Sequence, residues 1–282
     1  MAKLRMCVKN AFDPDLATLT SSPAAETSLP VTNLQIPARA RVWRSTSAAE
    51  QVIYATWDGA GHYLNFLGLF RHNLESAATW RVQAYSDAAW TTEVYDSGTV
   101  DAIDADTLGE LDWGVDELGA SVFDGFLGQM FSLIYFTRVL ALSVKITITD
   151  TGNSAGYVQA SHLFGGDYTE FAYSARTAGL AWREDTELVR SNGGSLRSDQ
   201  GVAFRELQLD LAAVASTDRS TLMDMLRYAG RRKPVFAALY PGSGGELERD
   251  YTVIGKILDL PDVTNDVERY NLWATRIRLG EI

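Results

Sequence analysis

One stretch of this 282-residue chain repeats its apolar residues with a helical period, and it dictates what must surround it. Leu222, Met225, Leu226 and Ala229 fall at i, i+3, i+4 and i+7, which draws a single apolar stripe along a helix expected over 217–229. Ser216 and Thr217 read as its N-cap residues, with Asp218 in the first turn, where the positive end of the helix favours an anion. Gly230 ends the stripe, Arg231, Arg232 and Lys233 place cations at the negative end, and Pro234 blocks continuation. A helix with one greasy stripe needs a sheet to lie on. The flanking sequence supplies it. Leu207, Leu209 and Leu211 alternate with polar residues, 235–240 is a short apolar run, and 251–257 follows the glycine-rich turn Gly242-Ser243-Gly244-Gly245. Trp273, Thr275, Ile277 and Leu279 alternate with Ala274, Arg276 and Arg278. The expected unit is strand, helix, hairpin, final strand.

Elsewhere the period is two or absent. Gln51 to Trp57 alternates, and Tyr63 to Phe70 is almost wholly apolar and therefore a central strand. Thr79 to Tyr85 puts Trp80, Val82 and Ala84 on one face; Trp90 to Tyr95 reads as the next strand. Phe131–Phe136 and Val144–Thr149 read as a closing pair. Short strands with turns about every ten residues predict a mainly β fold. It divides into an N-terminal strand and arm (1–27), a jelly-roll β-sandwich (28–165) and a C-terminal β-rich domain with one helix (166–282). The polar, glycine-bearing run 190–201 reads as an exposed loop or hairpin tip.

Charge narrows the partners. The net charge is −11 and the pI about 4.8, which disfavours nucleic acid and anionic membrane, because phosphates would be repelled. The acidity is uneven: 1–165 holds 10 basic and 18 acidic residues, 166–282 holds 15 and 18. A lone cysteine, Cys7, permits no intrachain disulfide and fits assembly in a reducing compartment. The first residues lack the apolar core of a signal peptide, and Phe126–Val144 is too interrupted, by Gln129, Arg138 and two serines, for a membrane span.

Chemistry-bearing patterns are sparse. His62, His72 and His162 have no acidic or cysteine neighbour at metal-ligand spacing, so all three are expected to be structural or surface residues. No strained serine elbow occurs, and the 242–245 glycines lack the Lys-Ser/Thr of a phosphate loop. The acidic run Asp101-Ala-Ile-Asp104-Ala-Asp106-Thr-Leu-Gly109-Glu110 misses the EF-hand calcium pattern, because Leu108 takes a ligand position. No catalytic, cofactor or metal residues are assigned, and no enzymatic activity is expected. Trp43, Trp57, Trp90 and Trp113 together could form a sugar-stacking platform; most tryptophans of a small β domain are core, and Trp90 and Trp113, nearest to polar loops, are the better candidates for stacking on a sugar ring.

Two runs, Leu29-Pro30-Val31-Thr32-Asn33-Leu34 leading to Arg41-Val42-Trp43-Arg44-Ser45, and Leu69-Phe70-Arg71-His72-Asn73-Leu74 followed by Ala78-Thr79-Trp80-Arg81-Val82, resemble the galactose-binding-like, discoidin-type jelly rolls common in tail proteins of tailed bacteriophages. The C-terminal block of strand, helix, Lys233-Pro234-Val235-Phe236 and Tyr251-Thr252-Val253-Ile254-Gly255 is similar to the belt region of phage distal tail and minor tail proteins. The resemblance implies a structural virion protein at the tail tip, assembled in the host cytoplasm. It would form a homohexameric ring between tail tube and baseplate hub. The alternative it leaves open is a module that binds host carbohydrate. The near-balanced charge of 166–282 suggests that this part carries the subunit contacts, with Arg190, Arg197, Gly242 and Glu246 at or near them.

Overall fold

The computed structural model describes residues 3–103, 130–198, 201–265 and 272–282. The acidic run from Asp104 onward, with Trp113, lies outside them. The chain folds as two compact units: Lys9–Thr169 with Gly242–Arg249, and Met1–Val8 with Glu170–Pro241 and Asp250–Ile282. The stretch expected as an arm is therefore divided. Met1–Val8 belongs to the C-terminal unit, whereas 9–27 belongs to the sandwich and supplies its Ala17–Ser22 strand.

The first unit is an antiparallel jelly-roll sandwich. Its larger sheet runs Ala17–Ser22, Gln51–Trp57, Ser143–Thr149, Thr79–Tyr85, Glu93–Asp96, with Val100–Asp101 also on Thr79–Tyr85. The smaller sheet places His62–Phe70 between His162–Gly166 and Phe131–Ala141. Alternation explains the core. Ile53, Ala55 and Trp57, then Trp80, Val82 and Ala84, then Val144, Ile146 and Ile148 are all buried, while their odd-numbered or even-numbered neighbours form the other face. Phe131–Ala141 and Ser143–Thr149 do not close on each other as expected. The first pairs with His62–Phe70 and the second inserts between Gln51–Trp57 and Thr79–Tyr85. A single residue, Leu142, hands the chain from one sheet to the other, a connection that residue type alone does not distinguish from a hairpin.

The second unit is one sheet with a helix on it. The order is Thr169–Glu170, Arg5–Cys7, Val235–Ala238, Thr252–Ile257, Leu272–Glu281, Ala203–Ala215, Thr177–Glu184, with Thr264–Asn265 beside Leu272–Glu281. Helix α1, Ser216–Ala229, lays Leu222, Met225, Leu226 and Ala229 against Leu207, Leu209, Leu211, Ile277 and Leu279. The stripe is as expected; the cap is not. Ala215 is the N-cap residue and makes no side-chain bond, because the preceding strand runs directly into the helix. Asp218 instead accepts the Ala172 N–H at 2.9 Å. Gly230 ends the helix at φ 52°, with its N–H on Leu226 O.

A second helix, α2, Gly245–Tyr251, corrects the expected glycine turn. Val235–Ala238 and Thr252–Ile257 do pair, but the connection is not a tight hairpin. Gly242, Gly244 and Gly245 all take positive φ, which frees the backbone to wrap around Glu248. The Glu248 carboxylate accepts Gly242 N–H at 2.8 Å and Gly244 N–H at 2.9 Å. The amides that could have cradled a phosphate are filled by the chain's own acid. Among the described residues no helix is long and apolar enough to cross a membrane.

Candidate functional site

The outward face of the larger sandwich sheet is built row by row from strand register. Thr147 pairs with Arg81 and Val52; Lys145 with Gln83 and Tyr54; Ser143 with Tyr85 and Thr56. The inward alternate positions are apolar, so these residues must face away from the core. The face holds a cleft of about 220 Å³ lined by Glu50, Thr79, Arg81, Gln83, Lys145 and Thr147 among others. It is a polar trough of hydroxyls, one amide and both signs of charge.

Two carboxylates from the neighbouring Glu93–Asp96 strand order part of it. Arg81 donates Nε to Asp96 Oδ1 at 2.8 Å and a second N–H to Asp96 Oδ2. That fork holds the Asp96 carboxyl below the usual carboxylate range. Gln83 donates to Glu93 at 2.8 Å.

Trp90 packs on Tyr54, the strand partner of the trough residue Lys145. The sequence suggested a strand from Trp90, but the strand begins at Glu93 and Trp90 sits in the preceding turn at φ 60°, a left-handed conformation rare for a bulky residue. The loop that holds it there is pinned by one side chain. Asp87 accepts the N–H groups of Ala89 (2.8 Å), Thr91 (3.1 Å) and Thr92 (2.6 Å) and the Thr91 hydroxyl (3.0 Å). The bonds from Thr91 and Thr92, the Thr91 N–H first, bring the Asp87 carboxyl down to about 2. Ser143 Oγ adds a bond to Asp87 O at 2.7 Å, tying the loop to the sheet. The indole then packs edge-on against Tyr54, centroids 5.2 Å apart, and Tyr85, 5.6 Å apart. It remains half-buried. The result is a fixed aromatic ledge beside a polar trough.

The other expected residues scatter. Trp43 and Trp57 are core, at 0% and 2% exposure. Trp113 lies outside the described residues. Arg190 and Arg197 sit on a fully exposed ribbon, Leu188–Arg190 paired with Leu196–Ser198, which is the expected hairpin tip. Gly242 and Glu246 are exposed beside and on α2, with Glu246 bonded to Arg249.

The histidines are placed by packing. His72 is buried; its Nδ1 accepts the Leu74 N–H at 3.3 Å, and its Nε2 lies 2.9 Å from Ser132 Oγ, whose hydroxyl donates to Ala102 O. A His–Ser contact invites a nucleophile reading, but both residues are at most 3% exposed and the hydroxyl is committed to a carbonyl. No substrate reaches it. Burial pushes His72 down to about 3 and His162, bonded to Leu34 O, to about 4, so both are neutral structural groups. His62 packs on Trp57. Among the described residues no group of three or more His, Cys, Asp or Glu could hold a metal ion.

Sequence reasoning found Trp90 but missed Tyr54, Tyr85, Lys145 and Asp87. A signal existed for the last: an Asp followed four and five residues later by Thr-Thr is a side chain able to satisfy its own loop.

No family model matches the sequence, and no curated protein matches it. Solved structures overlap part of it. A chitosan-binding module from a chitosanase/glucanase of Paenibacillus sp. IK-5 matches at TM-score 0.39 and 18% identity, covering 56% of this chain and 99% of that one. A CBM32 module from a family 31 glycoside hydrolase of Clostridium perfringens matches at 0.36 and 18%, covering 54% and 96%. A Ruminococcus gnavus GH29 fucosidase in complex with fucose matches at 0.38 and 12%, covering 57% of this chain. The chain spans only 27% of the fucosidase's length.

Proposed function

We propose that the sandwich unit binds carbohydrate on the outward face of its larger sheet and does so without turning it over. The observation that carries this reading is Trp90: a half-exposed indole held at φ 60° by the Asp87 loop, backed by two tyrosines, beside a trough of threonine hydroxyls, an amide and charged groups. Sugar rings offer an apolar C–H face and a rim of hydroxyls. A positioned aromatic takes the first, and fixed donors and acceptors take the second. Strain retained at one residue and compensated by four bonds to one carboxylate is the mark of a position selected for its geometry rather than its stability. The test is a glycan array with the whole chain. Wild type binds a defined set of glycans, and Trp90→Ala loses them with an unchanged melt. An array that stays blank removes the reading. Polysaccharide incubated with the protein releases no fragments; reproducible product lost on replacing one acidic residue would show an enzyme instead.

A second reading is favoured by a separate observation. The Thr177–Glu184 strand ends the C-terminal sheet, and beyond it the Leu188–Arg190/Leu196–Ser198 ribbon exposes Leu188, Val189 and Leu196 at 53–62%. An edge strand and apolar side chains on an isolated ribbon suit pairing with another copy. In this reading the chain is a structural protein of a phage tail tip, closing into a hexameric ring between tail tube and baseplate hub. Glycan recognition by the sandwich and ring closure through the other unit are compatible in one chain. Mass measurement in solution and images of assembled particles test the ring; isolated spikes with the C-terminal unit free would refute it.

A further inference from the structure

Resting on the carbohydrate reading, we infer that the trough selects an acidic sugar, with the ligand's carboxylate or sulfate on Lys145 and the ring that carries it against Trp90. Two of the polar groups on this face are already engaged. Arg81 is taken up by Asp96, and Gln83 by Glu93. Lys145 lines the same cleft, is half-buried, and makes no hydrogen bond or ion pair among the described residues. It stands in one row with Gln83 and Tyr54, and Tyr54 is a ring that Trp90 packs on. A lysine stem held on a sheet face between two ordered side chains, with its ammonium unspent, is a donor awaiting an acceptor. Thr147 and Thr79 extend the trough with hydroxyls along the strand direction.

The other end is marked by Glu50, beside the start of the Gln51–Trp57 strand, whose first residues pair with Thr147 and Ile148. Four residues of strand separate that end from the Lys145 row, roughly 13 Å along the backbone, the span of between two and three sugar rings. The trough is therefore bipolar. A ligand with an acid on one ring and a neutral or amino-bearing ring next to it matches both ends; a ligand charged on every ring meets Glu50. The residues 1–165 carry an excess of acid, so the preference has to come from contact at Lys145, because the wider field opposes anions.

The test compares two probes by calorimetry on the full chain: a tetrasaccharide alternating hexuronic acid with N-acetylhexosamine, and the same tetrasaccharide with its carboxyls reduced to primary alcohols. Wild type is expected to bind the acidic form about tenfold tighter, as one charge-assisted bond implies. Lys145→Met should bring the two forms within about twofold with no change in melting, and Lys145→Arg should keep the preference. Equal binding of both forms by wild type, or a preference that survives Lys145→Met, overturns the inference and leaves carbohydrate binding standing. Binding of neither form, with other glycans positive on the array, also overturns it alone. A blank array removes both.

Discussion

The sandwich fills its core with strands from two sheets, whereas the C-terminal unit fills its core with one sheet and, in large part, four side chains of one helix. The first spreads its apolar burial over many short elements. Any one of them can be weakened and its neighbours still cover the rest. The second concentrates the seal on Leu222, Met225, Leu226 and Ala229, and it also buries an ion pair, Arg205 with Glu281, at 4% and 6% side-chain exposure. The contrast teaches where fragility and where function should lie. The unit with distributed burial can hold a strained loop such as Trp90; the unit with concentrated burial has little stability to lend.

Substitutions can break that comparison, the largest effect coming first. Leu226→Asp puts an unpaired carboxylate under the helix and is expected to cost about 5 kcal/mol, unfolding the C-terminal unit; a thermal melt with an unchanged transition would take the helix out of the core. Next is Glu281→Ala, which strands Arg205. Arg205 donates to both Glu281 oxygens and to Asp250 O, so removing the acid should cost about 4 kcal/mol in urea unfolding.

The third separates the units by pH. All three histidines lie in the sandwich. His72 and His162 are held neutral in the fold, at about 3 and about 4, but in the unfolded chain they protonate near 6.5. The unfolded state binds more protons between those values, so their contribution is complete above about 6.5 and is lost as pH falls through that window. The sandwich transition should drop by roughly 6 kcal/mol by pH 4, about 3 from each histidine, and replacing both with glutamine should flatten that dependence. If both units lose stability in parallel, the histidines are not the cause.

Smaller effects sharpen the distinction. Ile146→Val, in the centre of the sandwich core, should cost only about 1 kcal/mol, because the deleted methyl has neighbours on every side to close in. Leu188→Ser with Leu196→Ser on the exposed ribbon should leave folding within about 0.5 kcal/mol. The same double variant should abolish any concentration-dependent rise in mass, if the ribbon joins copies. Association that persists would put the contact elsewhere.

Period-two and period-3.6 patterns made much of this legible. Gln51–Trp57 and Thr79–Tyr85 are strands at the residues the alternation marks, and the helix stripe is buried as spaced. What escaped was non-local. Nothing in Phe131–Ala141 or Ser143–Thr149 says that they belong to different sheets, because partner choice depends on strands far away in sequence. The second helix escaped because its glycines read as a turn, while its cause, Glu248 reaching back to two glycine N–H groups, is a three-dimensional bond. Trp90 was identifiable as an aromatic near a polar loop. Its backing by Tyr54 and Tyr85 was not, since register between strands brings them together.

The Asp87 clamp has a consequence for time as well as for shape. A loop tied at four points has little motion left to surrender when a ligand arrives. Arrival then needs no waiting for the loop to fold, so rates of capture should differ little from one sugar to another, and residence should carry the discrimination. The same stiffness removes the freedom to re-aim the indole toward a ring of another pucker or linkage. A site of this kind would be exacting in what it keeps and indifferent in what it meets.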